Sequence, residues 1–201
     1  MPIFMYKMME KNMKIKNYKK PCPGCGELFL EDATLRAYDE YIESIPECWH
    51  TYSEILGKEY KDPECFKVHR ITLDAYAAQH LGKQRDKQRE RKARQSANLH
   101  LIGLYLVFGK KALHAEVLQF FKQATDVKYE WPAMTRLEWP TWMTVEDVVK
   151  ATTPDEHQQL VTKWGQSVWN AYSEFHDDIA QTYEEFLKDY QNKVRKVDLR
   201  G

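Results

Sequence analysis

Apolar residues recur at helical spacing along most of the chain, and the stretches between them carry helix stop and start signals. In "EDATLRAYDEYIES", Leu35, Tyr38, Tyr41 and Ile42 share a face and Asp32 can cap it, so a helix is expected there. Pro46 opens "PECWHTYSEILGKEY", a position where proline costs nothing because the first N–H of a helix has no partner. Asp62–Pro63 opens "DPECFKVHRITLDAYAAQH", read as one helix that Gly82 closes. A long helix over roughly 84–108 starts charged and turns apolar, and 112–125 reads as another. Two Trp-Pro pairs make 128–142 an irregular connection. Thr144 and Asp147 suggest the cap of a short helix, and a last long helix begins at Thr153–Pro154. No convincing set of strands is visible. The expected fold is all-α, a helical bundle in one domain over 21–201, with a small N-terminal CPxCG knuckle. Residues 1–20 read as a basic, flexible arm.

Composition changes this picture little. The 201 residues are 43% hydrophobic and 13% aromatic, which suits a packed globule. Thirty basic and thirty acidic residues cancel, so total charge argues for neither nucleic acid nor an anionic membrane. No apolar run is long enough for a membrane span and no signal-peptide pattern is present, so a cytoplasmic location is the default expectation. Four cysteines in that compartment suggest metal ligands or buried thiols rather than disulfides. Residues 83–94 hold seven basic side chains. No aromatic residue interleaves them, which argues against base stacking, though a nucleic-acid module using this stretch is kept as an alternative.

The chemistry concentrates in "KKPCPGCGEL". A C-P-x-C-G turn aims two thiols at one point, and zinc needs four donors, so two must come from elsewhere. Cys48 and His50 lie at the start of the second helix. Cys65 and His69, at i and i+4, share a face about 6 Å apart. His69 and His80 share a stripe but stand three turns apart, about 16 Å, and cannot meet at one ion on a straight helix. An antiparallel return of the next helix brings His100 near Cys65 and His69. Asp74 can orient an imidazole of a neighbouring helix or pair with a basic side chain.

The order "CPGCG", "ECWHTYSEILGKEY", "VHRITLDAYAAQHLG", "HLIGLYLVF" and "TVEDVVKATTPDEH" resembles an uncharacterised bacterial family, from about Cys22 to His176. Its pattern covers Cys22, Cys25, Cys48, Trp49, His69, Asp74, Tyr76, Gln79, His80 and His100. Leu81 and the charged "RDKQRERKAR" depart from it. The resemblance favours Cys48 over Cys65 as third ligand and implies no established activity. The resulting expectation is a closed structural zinc site of Cys22, Cys25, Cys48 and His69, with Cys65 and His100 as alternates. Function then falls to a protein-contact surface or to a pocket near Tyr76, Gln79 and His80. The rival is a metal-dependent hydrolase with an open coordination position and Asp74, His80 or His100 as base.

Overall fold

The computed structural model of the chain describes residues 19–36, 42–82, 87–140 and 142–198. The fold is an all-α bundle with a small N-terminal hairpin. Strand β1 (Lys19–Pro21) pairs antiparallel with β2 (Leu28–Leu30), with Lys20 opposite Phe29. The helices are α1 (Pro46–Lys61), α2 (Pro63–Phe66), α3 (His69–Gln79), α4 (Lys87–Leu104), α5 (His114–Asp126), α6 (Val145–Val148), α7 (Pro154–Ala171) and α8 (His176–Asp198). Helix α4 runs on into a wider π turn, Tyr105–Gly109. Among the described residues, no helix is long and apolar enough to cross a membrane.

Helix α3 is the hub. Thr72 and Asp74 to Gln79 are all buried on it, and it packs between α4 and α7. Two bonds lock α3 to its neighbours: Trp164 Nε1–H donates to Gln79 Oε1 at 2.9 Å, and Tyr172 O–H donates to the Ala78 carbonyl at 2.9 Å. Buried indole and phenol groups keep their polar atoms satisfied this way. Trp164, Trp169 and Tyr172 are buried. Tyr76, Gln79 and His80, expected beside a pocket, are all fully enclosed.

Four elements differ from the sequence expectation. The helix expected over "EDATLRAYDEYIES" is a turn at its start, where the Asp32 carboxylate accepts from Thr34 N–H and Oγ1–H. At its end, Ile42 is extended and bridges to Leu81, while 37–41 lie outside the described residues. Asp32 caps locally, and Asx residues compete with helix in this way. The single helix expected from Asp62 breaks after Phe66, where the Asp62 carboxylate accepts from Glu64 N–H and the next bonds tighten to i→i−3. The last long helix breaks at Tyr172. There the Trp169 carbonyl accepts from the His176 ring at 2.9 Å, and the Tyr172 ring turns into the core. The hairpin strands were missed because three residues are too few to display a period. Lys19 and Lys20, assigned to the arm, belong to β1; residues 1–18 lie outside the described residues.

Candidate metal centre

The knuckle is a turn between β1 and β2. Cys22 N–H donates to the Glu27 carbonyl at 2.8 Å, and Gly26 N–H donates to the Cys22 carbonyl at 2.9 Å. Gly26 adopts φ +82°, a conformation that disfavours any Cβ. These bonds present Cys22 and Cys25 on one side. Both are buried. Glu47 of α1 accepts from Asp32 N–H at 2.7 Å and faces Lys20 Nζ at 3.3 Å, which ties the hairpin to the helix.

Cys48 lies in the first turn of α1, where the helix dipole favours a thiolate. The fourth donor is His80, which caps the C-terminus of α3. One ligand atom from each of Cys22, Cys25, Cys48 and His80 lies within 4.8 Å of the other three, and all four residues are buried. Cys25 Sγ is 3.9 Å from Cys48 Sγ, and His80 Nε2 is 3.3 Å from Cys48 Sγ. His80 Nδ1 sits 2.7 Å from the Tyr76 carbonyl. A carbonyl only accepts, so Nδ1 carries a proton, and Nε2 is the ring nitrogen turned toward the thiols. Gly24 makes room for that ring. A Cβ there would stand 2.1 Å from His80 Cδ2. The second residue between the cysteines must therefore lack a side chain.

Electrostatics explain why this cluster suits a cation. Hydrogen bonds from Cys25 and then Cys48 hold the Cys22 thiol far below its usual range. The same contacts with Cys22 push Cys25 and Cys48 up, and burial adds to both. One thiolate is favoured at the expense of the other two. A divalent ion held by the four donors would remove that conflict by stabilising all three anions together. Tyr76 lies beside them, its O–H 3.8 Å from Cys48 Sγ and 2.7 Å from Ser44 Oγ. Burial, and then Cys48, push its phenol far up, so it stays a donor.

The other sequence candidates lie elsewhere. His69, expected as the fourth ligand, points its Nδ1 at Glu59 Oε2, 2.7 Å away. The break after Phe66 turns it toward α1, so it does not join the thiols. Glu59 is fully buried and holds two more contacts, Thr72 Oγ1 at 2.5 Å and His157 Nε2 at 3.0 Å on one oxygen, besides His69 on the other. Cys65 is a buried thiol on α2, raised by burial, and is not part of the cluster. His50 is exposed and faces Glu54 at 3.6 Å. His100 meets Asp74 at 2.8 Å instead of Cys65, because the α3–α4 register differs by more than a turn from the expected one. Asp74 also takes a bidentate contact from Arg70. His80, a candidate base, is enclosed among the thiols, where no substrate can reach it. The basic stretch 83–94 lies partly outside the described residues, and its Arg94 pairs with Glu90.

Two tryptophans close the knuckle from outside. Trp142 Nε1–H donates to the Cys25 carbonyl at 2.9 Å, and Trp139 Nε1–H to the Pro23 carbonyl at 3.1 Å. Thr144 Oγ1–H reaches Glu27 Oε2 at 2.9 Å. Sequence reading treated 128–142 as an irregular connection and missed this role. The signal lay in the Trp-Pro pairs, whose indole donors need partners.

No curated protein and no solved structure matches the chain. A family model described as a family of unknown function, DUF5946, matches residues 20–173, from the hairpin through the end of α7. That span contains all four donors, and the chain belongs to this family.

Proposed function

We propose that the protein binds one zinc ion through Cys22, Cys25, Cys48 and His80, and that the ion is structural. The observation carrying this reading is the convergence of four buried donors from three separate segments: the hairpin, the start of α1 and the end of α3. Three thiols and one imidazole form a ligand set of the kind that structural zinc sites use, and soft thiolates select zinc over magnesium or calcium. Four protein donors fill a tetrahedral set, which leaves no position for water and favours a closed site over a hydrolytic one. The bound ion would supply the cross-link that a three-residue hairpin cannot provide for itself, since two short strands are marginal alone.

The test is metal analysis of protein purified without chelator or immobilised metal, followed by cobalt substitution. About one zinc per chain is expected, with thiolate-to-cobalt absorption bands in the substituted protein and a fall in thermal stability on removal. Protein with no bound metal and unchanged melting in chelator would overturn the proposal.

A further inference from the structure

Outside the cluster, the knuckle carries a cavity of about 530 Å³ lined by Pro23, Arg136, Glu138 and Trp139. That volume falls in the range of small-ligand sites. Its walls are tied to the metal centre. Pro23 stands between Cys22 and Cys25. Arg136 Nη1 is 2.5 Å from Glu43 Oε2, and Glu43 N–H donates to the carbonyl of His80 at 2.9 Å.

Trp139 is the unusual residue. Its φ is +41°, directly before Pro140, a region that bulky side chains avoid. Strain of this kind persists only where the surroundings impose it, and it gathers at ligand clamps. Burial does not account for it, because Trp139 stays 52% exposed. Its indole N–H is fixed on the Pro23 carbonyl and its ring lies over Gly26, so one aromatic face is held in place.

Charge then selects the ligand. Arg136 is ion-paired with Glu43. Glu138 is exposed and has no ion-pair partner among the described residues. An aromatic face beside an unpaired carboxylate is the chemistry that receives an organic cation. We propose that this cavity binds an ammonium or guanidinium group carried on an apolar stem, either a free amine or a lysine or arginine side chain of a peptide.

The experiment uses the full, metal-loaded chain with its metal content measured, so that failure here is separable from failure of the zinc reading. The indole N–H signals are followed by ¹⁵N NMR, with Trp139→Phe identifying the Trp139 signal. The probes are Nα-acetyl-lysine methylamide, its uncharged counterpart Nα-acetyl-norleucine methylamide, and the tripeptide Ala-Lys-Ala with blocked ends. A saturable shift of the Trp139 signal with the lysine probe is expected. It should weaken at least tenfold with norleucine and in Glu138→Gln, an exposed change that spares the fold. Tighter binding of the tripeptide points to a peptide source, and equal binding to a free amine. No saturable shift, or the same shift with norleucine or in Glu138→Gln, overturns the proposal.

Discussion

Helix α3 connects two buried polar clusters that solve the same problem in opposite ways. Before its first residue's side chain stands Glu59, surrounded by His69, His157 and Thr72. Just past its last residue stand three thiols around His80. In the first cluster one carboxylate takes Thr72 and His157 on one oxygen and His69 on the other, and His157 Nδ1 is left as a buried nitrogen without a partner. In the second, three thiols and the Nε2 of His80 face one another. Both contain buried histidine, and only the second gathers four side chains that could hold a metal ion. The carboxylate cluster is built on one hard oxygen acceptor, whereas the thiol cluster offers soft sulfur donors of the kind a transition-metal ion takes.

The largest effect separating the two should come from Cys48→Ala. It removes one of four donors, and structural zinc in small domains is worth about 10–16 kcal/mol of apparent binding energy. Metal analysis should find the zinc lost, with melting lowered by more than about 10 °C. Next comes Glu59→Ala. It strands His69, His157 and Thr72, and each buried hydrogen-bonding group left without its partner costs about 1–3 kcal/mol. Denaturant unfolding should show that loss while zinc content stays unchanged. Gly24→Ala should follow. A Cβ at 2.1 Å from the His80 ring displaces a ligand rather than deleting it, so zinc affinity in a chelator competition should fall about 10–100-fold, the scale of perturbing a ligand's supports. The smallest effect is expected from Tyr76→Phe, which removes the O–H beside Cys48 and deprives Ser44 of a partner. About 0.5–1.5 kcal/mol of stability should be lost. A larger loss of zinc from Glu59→Ala than from Gly24→Ala would erase the distinction between the clusters.

Much of this was legible beforehand, and the misses have physical causes. The all-α class followed from periodicity, and Pro46, Asp62–Pro63 and Thr153–Pro154 marked helix starts because their chemistry is local. The knuckle showed in the CPGCG spelling, and the structure brings Cys48 beside it. His69 was preferred over His80 because i,i+4 spacing assumes one unbroken helix through Cys65. That helix ends after Phe66, where the Lys67 and Val68 N–H groups turn to i→i−3 bonds, and His80 leaves the face it shared with His69 by capping the end of α3. The useful signal was position: an end residue before "LG" is free to turn toward another element. The Asp74–His100 contact was open to reading as carboxylate against imidazole, but its level along α4 depended on a turn whose length the sequence does not fix.

The most direct test compares His80→Ala with His69→Ala, two histidines of one helix, by zinc content per folded chain. The expected result is about one zinc in the wild type and in His69→Ala, and none retained in His80→Ala after brief dialysis against a weak chelator. Zinc held by His80→Ala and lost from His69→Ala would contradict the assignment of the fourth ligand.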